Sequence, residues 1–180
     1  AANPAQMKAL DLGLLDFLKM ARFASDQYLS RGVTLAQSGG LDGRMATGLS
    51  WMRRLGQVNT RLELWPMADS LGQALLENET SVDKFEADGV NIGPIKFVTD
   101  GSIQGFTGFL AHPYHTPFKG DEHYRGYPRI AFEPLRADML SFHKQGYQLA
   151  LHGNGDAAIE SIINAWEWVQ SQHFREDARP

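Results

Sequence analysis

The amino-acid sequence predicts an α/β fold on a parallel sheet covered by helices. Three observations carry this: helical apolar stripes alternate with short apolar runs, the first junction between them is a single glycine, and the short runs look too apolar to leave either face in water. From Met7, the residues Leu10, Leu14, Phe17, Leu18, Ala21, Ala24 and Tyr28 recur at steps of three and four, the stripe of an amphipathic helix ending at Arg31-Gly32. VTLAQ at 33–37 reads as a buried strand closed by Ser38-Gly39-Gly40. The pattern repeats with a helix over 45–55, a strand RLELW at 61–65, a helix over 70–78 and a further helical stretch over 82–88. IKFV at 95–98 is the next strand. The glycine- and aromatic-rich segment that follows, 100–130, is too long for a plain connection and reads as functional or as the cover of a site. A helix over 133–144 places Pro134 in its first turn, where a missing N–H costs nothing. The strand QLALH at 148–152 and a helix over 156–169 follow, making four strands and at least five helices.

With 180 residues, 43% apolar and 21% charged, the chain is long enough for a substantial core and reads as one unit over 1–180. A net charge of −4, without a local run of Lys or Arg, lacks the field that attracts nucleic acid. No apolar run is long enough to cross a bilayer, and AANPAQMKAL lacks the basic-then-apolar order of a secretory signal. The chain has no cysteine, so a metal would need His, carboxylate or a less common ligand. Compartment stays open. A start without Met, and an end on HFREDARP without a closing element, lead to the expectation that the chain is a segment of something longer.

Ligands of parallel sheets collect at the carboxyl ends of strands, which places Asp100, the long segment and His152 on one rim. ALHGNGDAAI at 150–159 then has two readings. Gly153-Asn154-Gly155-Asp156-Ala157-Ala158 fits a G-x-G-x-x-A dinucleotide turn, with Glu176 or Asp177 at the distance of a ribose contact. Against it, Asp156 would face the pyrophosphate with a like charge, and the turn falls on the last strand; Asp156 reads better as the helix N-cap. The other reading makes His152 the working group. It shares a strand face with Gln148 and Ala150 and projects from the strand end, where Gly153 leaves room beside the imidazole. Alternation in IKFV puts Lys96, Val98 and Asp100 on one face. A strand lysine at that position needs a carboxylate partner, a lowered pKa or a covalent modification. His112, His115 and His123 lie in the polar segment, His143 near a helix C-terminus and His173 in the tail; these are weaker candidates.

IKFVTDGSIQGFTGFL, a following Pro-Tyr, a helix and then GYQLALHGNGDAAIESIINAWE resemble the metal-dependent amidohydrolase superfamily, in the amidohydrolase family 3 branch of N-substituted formamide deformylase-like and exoenzyme-regulator-like proteins. RGVTLAQSGG and TRLELW resemble its second and third strands, so the resemblance spans nearly the whole chain. It implies a distorted (β/α)8 TIM-type barrel of which this chain is about half, strands two to five with their helices. It also implies one or two divalent metals, usually zinc, activating water against an amide-like C–N bond. Lys96 matches the strand-four lysine that many relatives carry as a metal-bridging carbamate, and His152 the strand-five metal ligand; Asp100 and Asp156 match supporting positions. Gln104, Phe106 and Tyr114 are the substrate-pocket candidates.

The family's strand-one H-x-H, strand-six histidine and strand-eight aspartate have no counterpart here. The chain alone is therefore expected to be inactive, to hold zinc weakly or not at all, and to leave Lys96 unmodified. Its expected partners are the remainder of the barrel, a small-molecule substrate and, through open sheet edges, further copies of itself. A non-catalytic regulatory or binding protein that keeps the barrel is the rival reading, and a dinucleotide-binding module the third.

Overall fold

The computed structural model describes residues 13–178. Met7 and Leu10 of the first expected helix lie outside them, as do Arg179 and Pro180. The rest of that stripe forms α1 (Leu14–Ser30), with Phe17, Leu18 and Ala21 against the core and Tyr28 exposed. It also has a polar attachment. The buried Ser25 Oγ accepts the backbone N–H groups of Asn59 and Thr60, each at 3.0 Å, and thereby fixes the helix to the start of the next strand pair.

β1 (Leu35–Leu41) starts later than expected and continues through Ser38-Gly39-Gly40 instead of stopping there. It pairs in parallel with β2 (Arg61–Pro66), and the register shifts between Ser38 and Leu41. The glycines permit this irregularity because a Cβ on Gly40 would stand 2.8 Å from Met67 Sδ. Between these strands α2 (Gly43–Arg54) begins two residues before the expected start, since Asp42 caps it by accepting Met45 N–H at 2.8 Å.

The expected helix over 70–78 is a π-helical turn (Ala68–Gly72) running into α3 (Gln73–Leu76), and the stretch near 82–88 is helical only as a 3₁₀ turn at Val82–Lys84. Sequence periodicity missed β3 (Val90–Ile92), which is too short to show any period. β3 pairs in parallel with β2, while β4 (Ile95–Val98) pairs in parallel with β5 (Leu149–His152). Gly93-Pro94 separates β3 from β4, because proline has no N–H for the ladder. A parallel bridge between Met67 and Lys96 carries the β2 side across to β4. The strands thus form a three-stranded sheet, β1-β2-β3, and a two-stranded sheet, β4-β5, joined by that bridge. α4 (Phe132–Lys144) and α5 (Asp156–Gln172) match the expected helices within three residues at each end.

The expectation that both faces of every strand are buried is overturned. Leu62, Leu64, Ile95, Phe97 and Leu149 are buried on one face, where they meet Leu135, Met139 and Phe142 of α4 in a common core. The Phe97 and Phe142 rings meet edge to face at 5.8 Å. Alternate residues Glu63, Trp65, Lys96, Val98 and Ala150 are only half-buried, and Gln37 and His152 are exposed. This polar face carries the candidate site. Among the described residues, β1 and β5 each have a strand on one side only.

Candidate functional site

Lys96 pairs with Ala150 and Val98 with His152 in the β4–β5 register. Side chains alternate along a strand, so Lys96 and His152 stand on the same face of neighbouring parallel strands, one pleat repeat apart along the sheet. Two residues far apart in sequence are thus brought to one surface at the carboxyl end of β5.

Lys96 is half-buried, and of the three alternatives its strand position left open it lacks the carboxylate partner and has the lowered pKa. It forms no ion pair among the described residues, and its Nζ lies 5.6 Å from the centre of the Trp65 ring. Burial holds the amine below the ordinary lysine range. The indole N–H of Trp65 donates to Glu63 Oε1 at 2.8 Å, and Gln37 Nε2 donates to the same oxygen at 3.3 Å. Glu63 and Trp65 were missed in the sequence. The signal was available, because R-L-E-L-W alternates and a parallel neighbour of Lys96 had to present one of its two faces to the same side.

Asp100 is 2% exposed, and its carboxylate is saturated by backbone. Oδ1 accepts Asn154 N–H and Oδ2 accepts the N–H groups of Phe109 and Gly155, all at 2.8 Å. The N-cap of α5 is Gly155, not Asp156, and it makes no side-chain cap bond. Asp156 is the first helical residue, and its Oδ1 accepts Ala111 N–H at 2.8 Å and Ala157 N–H at 2.9 Å. The Ala111 bond is the main reason its carboxyl is held below the usual range, with the Ala157 bond and the nearby His112 adding to it. Asp156 therefore ties the long segment to the helix start instead of capping the helix.

These bonds remove the dinucleotide reading. A pyrophosphate turn needs free N–H groups, but those of Asn154 and Gly155 go to Asp100, that of Ala157 goes to Asp156, and that of Ala158 goes to Phe109 O at 3.3 Å. The Gly155 position is needed for another reason: a Cβ there would lie 1.8 Å from Phe109 O.

The 100–130 segment has a small aromatic core of its own. Phe106 stacks on Phe118 and tilts against Tyr114, each with ring centres at 5.0 Å, and Tyr124 closes the group 4.8 Å from Phe118. Tyr114 and Tyr124 donate their hydroxyls to the carbonyls of Gly108 and Phe106, both at 2.8 Å. Two substrate-pocket candidates, Phe106 and Tyr114, are thus brought together within the segment, while Gln104 is exposed on it. His112, His115 and His123 are exposed. His143 is fully buried near the opposite end of β5, where its Nε2 pairs with the carbonyl of His173 at 2.8 Å.

Lys96 and His152 supply two donors of kinds that suit a divalent metal, if the lysine is carried as its anionic carbamate. Among the described residues no group of three or more His, Asp or Glu could hold a metal ion.

Residues 16–180 match the model of the amidohydrolase family. The chain is 26% identical to a protein of Bacillus subtilis (strain 168) named as the amidohydrolase YtcJ, over 94% of this chain and 33% of that protein. Two crystal structures of uncharacterised metal-dependent hydrolases are similar in fold. The one from Pyrococcus furiosus has a TM-score of 0.68 at 22% identity, covering 89% of this chain and 33% of the other. The one from Pyrococcus horikoshii OT3 has a TM-score of 0.69 at 21% identity, covering 87% and 31%. The chain thus spans about a third of the length of the relatives it matches.

Proposed function

Given that this chain belongs to the amidohydrolase family, we propose that it forms about half of a (β/α)8 barrel in a metal-dependent hydrolase that cleaves a non-peptide C–N bond of the amide or formamide type. The observation that carries this reading is the placement of Lys96 and His152 on one face of adjacent parallel strands, at the end where such sheets bind ligands. A divalent metal, for which zinc is the proposal, supplies Lewis-acid polarisation of the scissile carbonyl and activation of water when bound. The chain's own residues hold and orient. His152 offers an imidazole nitrogen. Lys96 offers a carbamate oxygen after its neutral amine adds to carbon dioxide, forming an N–C bond and releasing one proton to water; the lowered pKa favours that neutral amine. The aromatic segment, with Gln104 on its surface, is the proposed wall of the substrate pocket.

A catalytic zinc takes about three protein ligands, and this chain offers two, so the remaining ligands and the general base are assigned to the rest of the barrel. The chain by itself is proposed to be inactive and to bind zinc weakly, which tight stoichiometric binding in calorimetry would refute. The decisive assay uses the protein with its flanking sequence on a panel of N-formyl and N-acyl amines, with and without chelator. Metal-dependent hydrolysis that is abolished by His152→Ala and by Lys96→Ala supports the proposal. Full activity in His152→Ala sinks it, and a protein that binds the amines without turnover favours the regulatory or binding rival.

A further inference from the structure

We propose that Asp100 is the positioning residue of this site: one buried carboxylate sets both the turn that carries His152 and the seat of the aromatic segment. Its functional meaning rests on the reading of His152 given above, while the tie itself stands on the geometry of this chain.

A carboxylate that is 2% exposed must be compensated, and Asp100 makes no ion pair among the described residues. Three backbone N–H groups do the compensating, and their origin is informative. Two come from the consecutive residues Asn154 and Gly155, immediately beyond His152-Gly153, and the third comes from Phe109 in the middle of the long segment. The preceding residue works on the same strand end. Thr99 donates both its N–H, at 2.9 Å, and its hydroxyl, at 2.8 Å, to the carbonyl of His152. The backbone of His152 is therefore held on its carbonyl by Thr99 and two residues further on by Asp100.

Phe109 locks the other half. Its carbonyl accepts Ala158 N–H at the start of α5 and occupies the space where any side chain on Gly155 would begin. Asn154 Nδ2 adds a bond to Gly101 O at 3.0 Å. A displacement of the aromatic segment therefore passes through Asp100 to the turn beside His152, and the histidine and the wall keep one relative placement. The role demands a carboxylate. An asparagine has a single acceptor oxygen, so its amide nitrogen would face one of the three N–H donors, and a buried donor would be left unmet.

The test uses the metal-free, isotope-labelled chain. Asp100→Asn is expected to speed amide exchange at Phe109, Asn154 and Gly155 by about ten- to a hundredfold and to shift the ring resonances of His152. Phe142→Leu, which loosens the core between β4 and α4 without touching these bonds, is expected to leave the His152 ring resonances in place. Faster exchange with unmoved His152 resonances would overturn the positioning role and leave Asp100 as a fold residue. If Asp100→Asn does not fold, Gly155→Ala reads the same tie from the other side: it must move the His152 resonances, and unmoved resonances again overturn the proposal. Failure of the metal reading shows elsewhere, as full activity of His152→Ala in the flanked protein.

Discussion

Lys96 and Trp65 form a cation–π pair on the polar face of the sheet, with the ammonium 5.6 Å from the ring centre. The pair links Lys96 on β4 to the neighbouring strand β2, and it explains how a lysine without an ionic partner is tolerated there. A contact of this kind is worth about 0.5–1 kcal/mol at an exposed site, which offsets the partial desolvation of the amine. Lys96→Met is expected to be neutral or to stabilise the chain by up to about 1 kcal/mol. The folded-state pKa lies below the unfolded value, so the unfolded chain binds more protons between the two. The penalty is fully present below that window, and stability rises with pH through it. Denaturant titrations at neutral and alkaline pH check this. A loss above about 2 kcal/mol in Lys96→Met would instead reveal an ionic partner.

Asp156 gives a pH signature of the same sign in an acidic window. Its folded-state carboxyl is depressed, first by the Ala111 N–H, so its contribution is present above the unfolded pKa and is lost as pH falls through the folded one. Asp156→Asn is expected to flatten that acid limb. Asp156→Ala is expected to speed amide exchange at Ala111 while leaving the Met45 amide, held by Asp42, unchanged. Equal exchange at Ala111 in both proteins would show that the segment is anchored without Asp156.

A third pH response resides at the other end of β5. Burial pushes His143 below the ordinary imidazole range, and Arg175 and His173 oppose its protonation from the tail, although the His173 carbonyl at Nε2 works the other way. Between its lowered folded pKa and the unfolded value of about 6.5, the unfolded chain takes up the extra proton, so stability falls as pH drops through that window. Arg175 also donates to the carbonyls of His143, Gly146 and Tyr147, so the tail residues 173–175 are the first expected to loosen. Denaturation midpoints measured across the window should fall for the natural chain and stay flatter for His143→Gln. Parallel curves would assign the response to another group.

The sheet edges make an association prediction. β1 and β5 each have one strand neighbour among the described residues, and Leu35 on β1 and Ile159 and Ile163 on α5 are exposed. The chain is expected to associate through these edges as concentration rises. Sedimentation velocity showing a stable monomer over a wide concentration range would contradict it.

Much of this could be read from residue order. The alternation of IKFV and QLALH placed Lys96 and His152 on named faces, and both strands lie where their apolar runs do. Short or irregular elements escaped. β3 spans three residues, the 68–72 turn has π-helical spacing, and β1 crosses a glycine pair that reads as a stop. In each case the local signal was weaker than the pairing or packing that formed the element.

The site divides along the same line. Residue order alone determined the α/β class, because side-chain period is a local property, and it carried the family resemblance that implies Lys96 and His152 as the two candidate ligands. Tertiary structure decided what the carboxylates and aromatics do. Asp100 and Asp156 acquire their roles from N–H groups of Phe109, Asn154, Gly155 and Ala111, and Trp65 acquires its role from a strand that pairs across the sheet. A backbone N–H is the same in every residue but proline, so which carboxylate it meets is written only in the folded chain.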